Sequence, residues 1–215
     1  FEISIWAMNF ALMFALALRI DYALFIVARF RGSHFGADLT TREAVAVAMD
    51  TAGKAVKLSQ FRGKTVVLEW NNPGCPFVRK HYDGNMQALH KDFTNQGVVW
   101  LAINSTETQS GDYLPPEKLA RWMRDKGASP TATLMDEDGK TGAAFGARVT
   151  PHMYIVNAQG LLVYAGGIDS IPSARTADIE KATNYIRQGL GELLAGKPVS
   201  TTTSQAYGCS IKYKN

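Results

Sequence analysis

Residues 65–77 read TVVLEWNNPGCPF, an almost wholly apolar run that gives way to small loop residues and then to Cys75 and Pro76. Its length, its valines and the turn residues on either side give TVVLEW the pattern of a buried strand. Beyond the loop, residues 78–97 become helical in their later half. Met86, Leu89 and Phe93 are spaced for one face, and Gly97 is the stop. Strand, loop and helix together place Cys75 at a helix start, with Pro76 in the first turn, where a missing N–H costs nothing.

The same grammar continues outward in both directions. AVAVAM ends at Asp50 before a TAGK turn, and GVVWLAIN reads as a second buried strand. The polar loop at residues 105–116 ends in Pro-Pro-Glu, an opening for the helix EKLARWMRDKG. TATLMD and MYIVN read as strands, AQG as the hairpin turn into LLVYAGG, and residues 176–196 as a last helix weakened by Gly189 and Gly191. Trp100 and Trp122 fall in apolar patterns and read as core. The order predicts an α/β domain with a mixed sheet covered on both faces by helices.

At 215 residues the chain accommodates one ordinary core with an appendage. The appendage is apolar: residues 3–18 carry no charge, and after Arg19 and Asp21 a second apolar run reaches Ala28. That length suffices for a single transmembrane helix, with Arg19 snorkelling to the interface, and the fit to a cleaved export signal is poor. The expected organisation is a membrane anchor over 1–30, a linker over 31–43, a globular domain over 44–196 and an extended tail over 197–215. An anchor of this kind predicts other membrane-protein subunits as partners through residues 1–30. Arg29 and Arg31 favour a cytoplasmic domain by the positive-inside rule.

The formal charge of +4 is spread along the chain, with no Arg-rich arm and no basic-aromatic interleaving, so a nucleic-acid partner is not expected. His34, His81, His90 and His152 stand alone, and no His, Cys or carboxylate cluster has metal spacing; neither a metal nor a cofactor is expected. The two cysteines, Cys75 and Cys209, allow one bridge at most. Arg79, Lys80 and His81 close behind Cys75 favour its thiolate if the site is wet; the alternative is an inert, buried thiol. Cys209 reads either as a resolving or bridging partner or as an unpaired tail thiol.

With these residues in view, the chain resembles the thioredoxin superfamily and, more closely, its peroxiredoxin-like redoxin branch. KAVKLSQFRGKTVVLEW resembles the entry to such domains, NPGCPFVRKHY the active-site turn, and GARVTPHMYIVNAQGLLVYAGGID the cis-proline loop with its hairpin. The resemblance covers residues 44–196, and the ending YGCSIKY is similar to tails of this branch. It implies a thioredoxin-like fold, Cys75 as a reactive thiol, and Pro151 after Thr150 as the turn that holds an extended substrate beside it. The departures are specific. Asn72 stands where thioredoxins have their first cysteine, and Asn72 and Leu68 stand where peroxiredoxins have a hydroxyl residue and a proline. Arg148 is the candidate for the supporting cation.

Beside a weaker reading as a module that captures extended peptides along the cis-proline edge, two functions follow as expectations. One is a membrane-anchored thiol oxidoreductase or peroxide-reducing protein, with Cys75 attacking, Cys209 or an external thiol reductant resolving, and Asn72, Thr150 and Pro151 at the substrate. The other is a non-catalytic accessory subunit of a respiratory or photosynthetic membrane complex. Relatives that work outside the inner membrane imply a periplasm-facing domain, against the arginine bias.

Overall fold

The computed structural model describes residues 47–214. The expected anchor over 1–30 and linker over 31–43 lie outside the described residues, as does His34. Among the described residues no helix is long and apolar enough to cross a membrane.

The expected alternation of strands and helices is present. In chain order the strands are β1 (Val47–Asp50), β2 (Ala55–Lys57), β3 (Val66–Trp70), β4 (Val99–Asn104), β5 (Ala132–Met135), β6 (Val149–Thr150), β7 (His152–Val156), β8 (Leu162–Gly166) and β9 (Cys209–Ser210). The helices are α1 (Pro76–His81), α2 (Asn85–Thr94), α3 (Pro116–Asp125), α4 (Lys140–Phe145) and α5 (Tyr185–Leu194). Seven strands form one mixed sheet in the order β2-β1-β5-β4-β3-β7-β8, and β6 pairs with β9 in a separate two-stranded ribbon. The central strand β3 runs parallel to β4 and antiparallel to β7.

Alternation along β3 and β4 sorts the core into two layers. Val67, Trp100, Ala102, Met153 and Ile155 face α1, α2, α3 and α5, meeting Val78, Tyr82, Met86, Leu89, Leu119 and Ile186. Val66, Leu68, Trp70, Leu101 and Ile103 face the other way, against Leu58, Phe145 and Ala147. The sheet is therefore buried on both faces, as the near-continuous apolar strands require.

The helical elements depart from the sequence reading in two places. The region behind Cys75 is two helices, broken at Gly84, whose φ of 117° lies in a region that side chains disfavour. Residues 176–196 hold a short 3-10 turn at Thr176–Asp178 and then α5, nine residues later than the expected start. Asn184 caps α5 by accepting from the Arg187 amide, and its bridge to Asp169 keeps the preceding residues out of the helix. Trp100 is fully buried, whereas Trp122 is half-buried against Tyr82 at 4.7 Å between ring centroids.

Candidate active site

Cys75 is the N-cap of α1, at the end of the loop leaving β3. The loop is shaped by Asn72: its main-chain carbonyl accepts from the Cys75 amide at 2.9 Å, its Oδ1 accepts from the Gly74 amide at 2.7 Å, and its Nδ2 donates to Thr106 Oγ1 at 2.9 Å. Asn72 thus builds the turn that presents Cys75. The Cys75 thiol is 3% exposed and donates to the Thr150 carbonyl at 3.0 Å.

Thr150 is the residue before Pro151, and the bond between them is cis. Val149 and Thr150 form β6, whose partner is the tail: Val149 faces Ser210 and Thr150 faces Cys209 in antiparallel register. This register delivers Cys209 to Cys75. Both cysteines are free thiols. Burial, then the hydrogen bond and charge of Cys75, push the Cys209 thiol up to about 12, with the Asp112 carboxylate adding to the effect. A cavity of about 40 Å³ adjoins the pair, lined by Asn71, Asn72, Ser105, Thr106, Asp112 and Thr150 along with both cysteines.

The tail is pinned on both sides of Cys209. Upstream, the Ala165 amide donates to the Thr202 carbonyl, Ser204 Oγ accepts from the Gly167 amide, and Tyr207 Oη donates to Asp169 at 2.5 Å. Gly208 passes so close to the cis-proline turn that a Cβ there would overlap the Thr150 carbonyl. Downstream, the Ile211 amide donates to the Arg148 carbonyl at 3.0 Å, the Glu107 amide to the Lys212 carbonyl at 2.9 Å, and Tyr213 Oη to the Ala147 carbonyl at 2.8 Å.

The basic residues behind Cys75 are engaged elsewhere. Arg79 Nε donates to the Pro73 carbonyl at 2.7 Å, and Lys80, buried, pairs with buried Asp169 at 3.2 Å. Desolvation lowers the His81 pKa to about 4, the Asp169 charge opposing it, so His81 is neutral at pH 7. Of the local cations expected from the sequence, Lys80 and His81 instead form a buried latch with Asp169 that joins α1 to Tyr207 of the tail, and Arg79 is exposed and bonded to the loop.

Of the residues singled out by sequence, the fold brings Cys75, Cys209, Asn72, Thr150 and Pro151 together. Arg148 lies on β6's approach with an exposed side chain that is not part of the cavity lining; its main chain holds the tail, and its charge acts on His152. Sequence reasoning passed over Asn71, Ser105, Thr106 and Asp112. Ser105 and Thr106 follow β4 at the same sheet end where the loop leaves β3, so the rule that sites gather beyond the carboxyl ends of parallel strands would have found them. Glu69, a charge inside an apolar strand, was also legible. It is fully buried, accepting from Tyr82 Oη at 2.7 Å and Trp100 Nε1 at 2.8 Å.

Comparison with known proteins agrees with this architecture. The AhpC/TSA family model matches residues 39–165, more than half of the chain, and the MMPL family model matches residues 1–67. A thiol-disulfide oxidoreductase, ResA, from Bacillus subtilis is 26% identical over 114 residues, 53% of this chain and 59% of that protein. The match thus spans under two thirds of the relative's own length. Two solved structures cover 84% of the chain: an uncharacterized conserved protein from Geobacillus kaustophilus (27% identity, 92% of that chain, TM-score 0.71) and a hypothetical protein from Sinorhizobium meliloti (25% identity, 94% of that chain, TM-score 0.72).

Proposed function

We propose that this chain, which belongs to the AhpC/TSA family, is a thiol oxidoreductase whose working pair is Cys75 and Cys209 rather than two cysteines of one loop. The observation that carries the reading is the β6–β9 register, which sets the tail cysteine against the loop cysteine across the cis-proline turn. Cys209 keeps its proton at neutral pH, so Cys75 takes the attacking role and Cys209 the resolving one. Attack by Cys75 on an oxidant is followed by attack of Cys209 sulfur on Cys75 sulfur, which closes a disulfide. An external thiol reductant then reopens it. The likeness to a thiol-disulfide oxidoreductase supports the same chemistry. Thr150 offers its carbonyl to the resting thiol, and Asn72 keeps the loop in place.

The apolar run at residues 3–28 supports a membrane tether, and in this reading the domain faces the periplasm from the inner membrane, beside other membrane subunits.

The test is intact-mass thiol counting on the reduced, folded protein after a small dose of oxidant. Loss of two hydrogens, mapped to a Cys75–Cys209 linkage and reversed by dithiothreitol, is the expected result. Cys209→Ser stops at a Cys75 adduct. Two thiols that survive unchanged would refute the redox role and leave the accessory-subunit function in its place.

A further inference from the structure

We propose that residues 207–213 are a fixed wall that restricts Cys75 to low-molecular-weight oxidants and thiols and excludes polypeptide substrates. The inference rests on the redox reading of the Cys75–Cys209 pair and assigns its substrate class. The β6 edge beside Thr150 and Pro151 offers main-chain donors and acceptors of the kind an incoming extended peptide would pair with. In this chain those groups are already taken by β9.

Displacing the tail means undoing its fastenings on both sides of Cys209. The Tyr207–Asp169 bond is buried with Lys80, and the Tyr207 ring also packs on Phe77 at 5.8 Å between centroids. The Tyr213 ring lies over Gly139 and Gly142, where a Cβ would collide with it. The alternative, a tail that peels away to admit a substrate strand, would have to break the buried Tyr207–Asp169 bond and the main-chain hydrogen bonds of Ile211 and Lys212. What remains beside Cys75 is the cavity of about 40 Å³. That is space for about three water-sized molecules, and its rim of Asn71, Ser105, Thr106 and Asp112 is polar.

With hydrogen peroxide the steps balance as follows. Cys75 thiolate attacks one oxygen, the O–O bond breaks, hydroxide leaves and takes the thiol's proton as water, and Cys75 becomes a sulfenic acid. Cys209 sulfur then attacks Cys75 sulfur, the S–O bond breaks, and a second water leaves with the Cys209 proton. The pair has lost two electrons to the peroxide. With a small disulfide, attack first gives a mixed disulfide and one thiol; Cys209 then releases the second thiol. In both cases a low-molecular-weight dithiol returns the two electrons.

The experiment is the rate of Cys75–Cys209 bridging in the full chain with hydrogen peroxide, 2-hydroxyethyl disulfide, oxidised glutathione and insulin, each divided by the rate of free cysteine with the same reagent. The normalised rate should fall with reagent size. Insulin should be about a hundredfold slower than 2-hydroxyethyl disulfide if it must wait for a tail-open state populated near 1%. Tyr213→Ala, which loosens the downstream anchor, should raise the insulin rate about tenfold and leave the 2-hydroxyethyl disulfide rate within about threefold. Hydrogen exchange at the Ile211 amide gives a readout that needs no variant, and slow exchange is expected. Insulin bridging the pair as fast as 2-hydroxyethyl disulfide, or rapid exchange at Ile211, would overturn the wall while leaving the redox pair standing. Failure of every reagent to oxidise the pair would remove the redox reading and the wall with it.

Discussion

Replacing Asp169 by asparagine removes the anion at the centre of the latch that joins α1 to the tail. Asp169 is 3% exposed and accepts from Tyr207 Oη at 2.5 Å, Lys80 Nζ at 3.2 Å and the Ile171 amide at 3.1 Å. Lys80, 2% exposed, would retain the Ile171 carbonyl, at 3.4 Å, and the Tyr207 ring, whose centroid lies 5.7 Å from Nζ. Leaving one member of a buried ion pair without the other costs about 3–5 kcal/mol. At an m-value of about 2 kcal/mol/M, a loss of about 3 kcal/mol lowers the urea midpoint by roughly 1.5 M. The assay is equilibrium urea unfolding followed by tryptophan fluorescence under reducing conditions, on Asp169→Asn, Lys80→Met and the double variant. Because the two residues meet directly, the double variant should lose far less than the sum, with a coupling of at least about 2 kcal/mol. A cost below about 1 kcal/mol for Asp169→Asn, or strict additivity, would show that the pair is not the latch described. The same variant should slow Cys75–Cys209 bridging, since Tyr207 lies two residues before Cys209.

Two further outcomes follow from buried groups. His81 and His152 each have a pKa lowered to about 4, by desolvation first; Asp169 opposes and Lys80 adds to the shift at His81, with Glu69 also opposing, and Arg148 adds to it at His152. Both are neutral in the folded state, so their stabilisation is complete above the unfolded value near 6.5 and declines as pH falls through about 4. Unfolding free energy should therefore drop by a few kcal/mol between pH 7 and pH 4, and His152→Gln should flatten that slope; an unchanged slope would refute the assignment. Glu69→Leu leaves the Trp100 and Tyr82 donors without their buried acceptor, a loss of roughly 3 kcal/mol or more, whereas Glu69→Gln keeps an acceptor oxygen and should lose less. Thermal or urea unfolding checks the order, and equal losses would mean that hydrogen bonding to Glu69 is not what matters.

Parts of the fold were legible because they are local. The runs around Val66–Trp70 and Val99–Asn104 carry their burial in their composition, Pro116 opens α3 where Pro-Pro-Glu said it would, and the hairpin turn falls at Ala158–Gly160. The late start of α5 was not legible, because residues 179–184 have helical composition and are diverted by a bridge to Asp169, a distant residue. In the site, the Cys75 helix start and the cis turn at Pro151 were readable from motifs. The fate of Arg79, Lys80 and His81 was not. Three basic residues near a thiol suggest a cationic field, but Lys80 is buried against Asp169, 89 residues further along the chain, and burial holds His81 neutral.

By itself, the sequence determined the layered α/β domain, the presentation of Cys75 after a strand, an asparagine rather than a cysteine at position 72, and the presence of one other thiol. These are properties of periodicity, turn chemistry and residue identity, which act over a few positions. Only the tertiary structure decided that Cys209 lies against Cys75 and that the tail occupies the cis-proline edge. That pairing joins residues 59 positions apart through main-chain register. Register across such a distance is set by the Tyr207 anchor and by the close passage of Gly208 against the Thr150 carbonyl, contacts that no local pattern encodes.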